Sequence, residues 1–269
     1  MLRERVKAII QESHKAFEEV ANEVWGYAEV AFEEYRSCQC EKVLMEKLGF
    51  QITEKVAGLD TAFMAEAGHG KPVIAFLGEI DALADQSQEA DVYERRPIHE
   101  GEPGHACGHN LLGTGSMEAA YAMKKYMEEN NMEGTVRYYC CPAEENGAGK
   151  SYMVMRGAFA DVDCASSWHP STTNAIVCQC LAVLLVKFRF TGLAAHAARA
   201  WEGRSALDAA ELMNVGTQFL REHVTPETRI QYAITNAGGA APNVVQDTAE
   251  LEYVIRCIDN DYLREVYGR

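Results

Sequence analysis

Between Gly104 and Gly113 the chain reads GHACGHNLLG, with two histidines and a cysteine inside five positions, His105 to His109. Imidazole and thiolate are ligands for zinc and related transition ions, and a cysteine beside a histidine can also serve as nucleophile and base. Other segments carry complementary groups: GEIDAL holds Asp81, CPAEENG sets Glu144 beside Glu145, and SSWHPS holds His169. Carboxylates suit harder ions such as manganese, so a mixed His/Cys/Glu set indicates a transition-metal site without choosing the metal. Cys107 and His109 can bind one ion together or share two. In an extended segment neighbouring side chains point apart, so one of Glu144 and Glu145 can hold metal while the other faces substrate. A free carboxylate beside a metal site is what a general base requires.

These residues need elements that gather them. PVIAFLGEI (72–80) is an apolar run bounded by Pro and Gly, the pattern of a strand buried on both faces. GTVRYYCC (134–141) and DCASSW (163–168) read as two more strands. Helical spacing predicts helices from Met1 to about Val30, over 36–50, from Leu111 to about Asn130 and over 150–159. Strands alternating with helices imply right-handed crossovers and an α/β layered domain with a mostly parallel central sheet. In such a sheet ligands bind beyond the carboxyl ends of the strands. Each strand runs directly into polar residues, so Asp81, Glu144, Glu145 and His169 converge on one rim. Cys107 and His109 reach it from the loop-to-helix junction.

Near residue 181 the pattern changes. Strand 181–190, helix 205–224, strands 229–237 and 249–258 and a final helix beginning at 261 follow the order of a small α+β sandwich with an antiparallel sheet. The expected division is 1–182 for a catalytic domain and 183–269 for a second domain.

Composition sets the outer bounds. A formal charge of −15 argues against nucleic acid and anionic membrane surfaces as partners. The N-terminus is a charged amphipathic helix pattern, unlike a signal peptide, and no apolar run reaches the length of a membrane span. Nine cysteines, several as close pairs such as Cys140/Cys141 and Cys178/Cys180, suggest reduced thiols and a cytoplasmic setting rather than a disulfide framework. Cys140 and Cys141 are expected to pack within their strand. His105 is expected to support the site from behind at most.

In order and spacing, GKPVIAFLGEIDAL, GHACGHNLLGTG, CPAEENGAGKSYMV and WHP resemble the aminoacylase/carboxypeptidase family of co-catalytic metallopeptidases. The likeness is strongest to the amidohydrolase branch, which hydrolyses N-acyl amino acids, and it runs along nearly all 269 residues. The resemblance implies two divalent metal ions, manganese or zinc, held by Cys107, His109, Glu145 and His169. It implies that Glu144 is the general base and that Asp81 supports the metal site. In the second domain GLAAHAARAWEGRSALDAA is similar to the family's lid motif, whose histidine, here His196, polarises the scissile carbonyl. GGAAPNVVQDTAELEYVIR is similar to the stretch whose asparagine, here Asn243, helps hold substrate, and Arg256 is a candidate carboxylate partner. The implied reaction is hydrolysis of a linear amide in an N-acyl or N-aroyl amino acid, with p-aminobenzoyl-glutamate as the leading substrate. The implied assembly is a homodimer, or a heterodimer with a related subunit, through the lid.

The sequence departs from the pattern where His196-Ala-Ala-Arg199 lacks the family's usual proline, and Asn110 stands where aspartate is common. Family members also continue beyond the position of Arg269, so a further histidine ligand, the last lid strand and the closing strands of the main sheet are expected to be missing. Three other readings compete: a dipeptidase of the same fold, a non-catalytic metal-binding remnant, and a cysteine amidase built on Cys107 and His109.

Overall fold

A computed structural model describes residues 2–176 and 180–269, so Met1 at the expected helix start and Cys178 of the second cysteine pair lie outside the described residues. The chain divides into two compact units, Met1–Thr173 and Asn174–Arg269. The expected division after residue 182 falls one residue inside a strand of the second unit.

The first unit opens with helices α1 (Leu2–Tyr27) and α2 (Tyr35–Lys47), followed by strands β1 (Gln51–Glu54), β2 (Phe63–His69) and β3 (Val73–Glu79). Helix α3 (His109–Glu129) leads to β4 (Gly134–Cys141), the short turns of helix α4 (Glu144–Gly147) and α5 (Gly149–Met155), and β5 (Cys164–Ser166). The sheet order is β1-β2-β4-β3-β5. Strand β3 is parallel to β4 and β5, while β2 is antiparallel to both β4 and β1, so four of the five strands point one way.

The apolar runs are explained by burial on both faces. Val136, Tyr138 and Cys140 of β4 pack with Phe17, Val24, Met45 and Met117 from the three long helices. Tyr139 and Cys141, pointing the other way, pack with Ala75, Met153 and Phe159. Alternate residues of one strand thus serve two cores, as the two-residue period of a strand dictates. The packing role expected of Cys140 and Cys141 is observed, both being fully buried. All described cysteines are free thiols.

The sequence pattern did not reveal β1 and β2. Strand β2 reads FMAEAGH, poor in β-branched residues, and its pairing with β4 from Phe63↔Cys140 to His69↔Gly134 supplies what propensity lacks. A second correction concerns Glu144 and Glu145: they sit on the helical turn α4, entered through Ala143 in the left-handed region (φ 56), and not on an extended segment.

In the second unit β6 (Ala182–Thr191), α6 (Ala206–Leu220), β7 (Arg229–Asn236), β8 (Thr248–Cys257) and α7 (Asn260–Gly268) form an antiparallel sheet of order β6-β8-β7 with two helices packed on it. Ala206 and Ala210 of α6 and Leu263 and Val266 of α7 pack on Leu251, Tyr253 and Ile255 of β8. Ser205 caps α6 by accepting the backbone N–H of Asp208 at 3.0 Å. This is the α+β sandwich expected from the element order.

One buried acid sets a pH dependence for the first unit. Glu41 of α2 is fully buried and accepts the Tyr138 O–H at 2.6 Å, while burial pushes its pKa up to about 7. Below the ordinary value of 4.5 both folded and unfolded chains hold the proton, and the contribution to stability is complete. From there to about 7 the unfolded chain ionises first, so stability is lost as pH rises through that window, on the order of 3 kcal/mol in full. Urea melts at pH 5 and pH 8 are expected to show this loss in the wild type and a smaller one in Glu41→Gln.

Candidate active site

Parallel register brings the carboxyl ends of β4, β3 and β5 to one edge, with Glu79 opposite Cys141 and Phe76 opposite Ser166. Asp81, Glu144, Glu145 and His169 all follow directly from those ends. Helix α3 carries His109 onto the same edge because it can approach β3 closely. A Cβ at Gly113 would lie 2.8 Å from the Glu79 carbonyl oxygen, so a larger residue would force the helix away. Gly108, at φ +75, turns the chain into α3, and a Cβ there would meet Pro170 at 3.0 Å. Cys107 and His109, on either side of Gly108, are thereby brought against His169.

Asp81 ties the parts together. Its Oδ1 is 3.2 Å from His109 Nδ1, its carbonyl oxygen is 3.0 Å from the same nitrogen, and its Oδ2 accepts the Glu145 N–H at 2.9 Å. Burial would raise the Asp81 pKa. The His109 contact and the backbone N–H groups of Glu145 and Glu144 outweigh it and hold the carboxyl below its usual range. With Nδ1–H committed to Asp81, the His109 lone pair lies on Nε2. In His169, Nδ1 is 2.8 Å from the Pro170 carbonyl oxygen and Nε2 is 3.1 Å from Cys107 Sγ. Both rings therefore turn Nε2 into the cluster, and they meet edge to face with centroids 5.7 Å apart.

Two overlapping groups have the spacing of a cation site: Cys107, His109 and His169, and Glu79, His109 and Glu144, each with donor atoms within 4.8 Å of one another. Glu145 adjoins both, with Oε1 3.9 Å from His109 Nε2. His109 Nε2, Glu79 Oε2 and Glu145 Oε1 are all buried without a hydrogen-bond partner. Unpaired buried polar atoms cost free energy unless something satisfies them, so this donor set fits a divalent cation. Burial, the hydrogen bond to Glu145 and the charges of Glu144 and Glu79 push the Cys107 thiol up to about 12. Reactive cysteines need the opposite, an electropositive surrounding. The ring next to Cys107 is also His169, not the His109 required by the cysteine-amidase reading.

Sequence reasoning missed Glu79 and Lys150. The Glu79 side chain is nearly buried and pairs with the Lys150 Nζ of α5. The signal was present in GEID, where two acids two residues apart share one face of a strand end. His105 turns away: its Nε2 is 3.1 Å from the Val24 carbonyl oxygen of α1, and burial pushes its pKa down to about 4. It also lines a cleft of about 830 Å³ with Trp25, Tyr27, Gln88, Arg95 and His99. None of the cluster residues lines that cleft.

Within the second unit His196 and Asn243 come together. His196 bridges to Val244, and the Ala197 N–H donates to the Asn243 carbonyl oxygen at 2.9 Å. Arg256 is elsewhere. It pairs with Val183 near the start of β6, whereas His196 follows the end of that strand, where Thr191 pairs with Thr248. Eight residues of β8 separate the two ends, about 26 Å at 3.3 Å per residue.

Comparison with known proteins agrees with this architecture. The peptidase family M20/M25/M40 matches residues 75–265, and the chain belongs to that family. Over 262 residues it is 45% identical to one of the subunits of p-aminobenzoyl-glutamate hydrolase from Escherichia coli (strain K12), covering 97% of this chain and 54% of that protein. It is 32% identical to the Xaa-Arg dipeptidase of Mus musculus, covering 95% of this chain and 58% of the relative. The chain thus spans little more than half the length of these curated relatives. Among solved structures it shares its fold with a dinuclear metal-binding peptidase of the M20 family from Bacillus subtilis, at a TM-score of 0.64 and 21% identity, covering 95% of this chain and 69% of that one. No helix among the described residues is long and apolar enough to cross a membrane.

A residue outside the cluster holds the α4 turn. Glu34, fully buried, accepts the Ala143 N–H and the Thr61 O–H, each at 2.8 Å. Glu34→Ala strands both donors, each costing about 1–3 kcal/mol. A marked drop in the urea midpoint is expected, with Glu34→Gln retaining most of the stability.

Proposed function

We propose that the chain carries the metal centre and general base of a metal-dependent amidohydrolase acting on linear N-acyl or N-aroyl amino acids, with p-aminobenzoyl-glutamate as the preferred substrate. One observation carries the reading: three buried, unpartnered polar atoms on Glu79, His109 and Glu145 face one another where the parallel strands end. The substrate assignment draws on the 45% identity to the Escherichia coli p-aminobenzoyl-glutamate hydrolase polypeptide.

In this reading Cys107, His109, Glu145 and His169 hold two divalent ions, manganese or zinc. When bound, such ions polarise a carbonyl oxygen and acidify water. Glu144 supplies the proton traffic. Glu144 is an exposed residue whose carboxyl is partly desolvated, and that burial together with the charge of Glu79 raises its pKa. A base of raised pKa takes a proton from water more readily and returns it to the leaving amine. Asp81 fixes the His109 ring and the backbone of the α4 turn. His196 accepts the Ala198 N–H through Nδ1 at 3.1 Å, which leaves Nε2–H free to donate to an oxyanion. Asn243, on the segment bridged to His196, belongs to the substrate-holding side; Arg256 stands apart from both.

A dipeptidase activity is the second reading, favoured by the 32% identity to the Xaa-Arg dipeptidase. The proposal also includes a cytoplasmic setting and assembly as a homodimer, or with a related polypeptide, through the second unit.

The test is release of p-aminobenzoate by the manganese- or zinc-loaded protein. Glu144→Gln is expected to lower kcat by about 10²–10⁴-fold while metal binding persists. Chelator should abolish turnover, whereas a cysteine amidase would keep its activity in chelator and lose it on thiol alkylation. Full activity in Glu144→Gln would overturn the mechanism, and preferential cleavage of Xaa-Arg dipeptides would select the second reading.

A further inference from the structure

Glu79 ends β3 with a side chain only 9% exposed, and a buried carboxylate is retained only when its charge is met. One oxygen meets Lys150. The other, Oε2, has no hydrogen-bond partner and lies 3.1 Å from His109 Nε2, which has none either. A carboxylate kept solely as the partner of Lys150 has no reason to aim its second oxygen at an imidazole lone pair. Nor does a hydrogen bond account for the approach: neither atom has a partner of suitable geometry, and Asp81 engages the ring on its opposite nitrogen, Nδ1.

Two ligand atoms that share one cation at about 2.0–2.2 Å each sit roughly 3.0–3.5 Å apart, which is the separation found here. We propose that Glu79 is a further metal ligand of this site, contributing Oε2 beside His109 Nε2, and that Lys150 is the positioning residue that pins its other oxygen. The pairing explains why an acid ends an otherwise apolar strand. Lys150 offsets one negative charge in a cluster that already holds Asp81, Glu144 and Glu145, and it leaves Glu79 a single free oxygen, which suits a one-oxygen contact. The carboxylate ligands then become Glu79 and Glu145, both close to His109 Nε2, and His109 is shared with the group formed by Cys107 and His169.

This inference rests on the metal-site reading above, and the experiment separates the two. Metal-free protein is titrated with Mn²⁺ and, separately, Zn²⁺ by calorimetry, and the melting temperature is followed with and without each ion. The wild type is expected to bind and to be stabilised. Glu79→Gln is expected to weaken binding of at least one ion by about 10-fold or more, and to lose most of the metal-induced rise in melting temperature while its metal-free melt stays cooperative. If Glu79→Gln does not fold, Glu79→Asp, which keeps the charge for Lys150 but draws the oxygen back by one methylene, is expected to show the same weakening. A folded Glu79 variant with wild-type affinity and stoichiometry for both ions overturns the proposal alone. A wild type that binds neither ion overturns the metal-site reading itself.

Discussion

The Asp81 carboxylate is the joint on which the site turns. One oxygen orients the His109 ring and the other receives the backbone N–H of Glu145, so a single buried side chain couples the start of α3 to the turn after β4. A carboxylate in that position stays charged because its donors outweigh the cost of burial. Its charge in turn fixes which imidazole nitrogen carries the proton. Remove that constraint and the His109 lone pair no longer has a defined direction, and the α4 turn loses its anchor on the sheet.

Close packing supplies the second level of control. Helix α3 can deliver His109 over the strand ends because Gly113 admits the Glu79 carbonyl and Gly108 admits Pro170. The same residues that look like a small-residue run in the sequence are therefore spacers measured by backbone contact. Glu34 acts similarly from the other side, holding the left-handed Ala143 through a hydrogen bond that no local propensity would supply.

Much of this was legible in the residues themselves. Strand β4 was readable in full because both faces are apolar and the run is bounded by Gly134 and Pro142, and the convergence of Cys107, His109, Glu145 and His169 followed from reading the strands as parallel. What stayed hidden depends on tertiary context. Strand β2, with Ala, Glu and Gly at its centre, forms because β4 and β1 offer it partners on both sides. The helical turn at Glu144 arises from the backbone at Ala143, which sequence spacing does not encode. Glu79 was overlooked because an acid at the end of a strand usually faces water, and its ion pair with Lys150 spans 71 residues.

Strand β5 has three residues, all exposed, and pairs along one side with β3. His169 follows its far end, whereas His109, Asp81 and Glu79 are buried within the first unit. Local opening costs least where few apolar contacts and short ladders hold a segment. Among the described residues the cluster accordingly has a buried floor and an exposed wall: the core holds His109, Asp81 and Glu79, whereas His169 depends on a three-residue ladder to β3 and on its contact with Cys107.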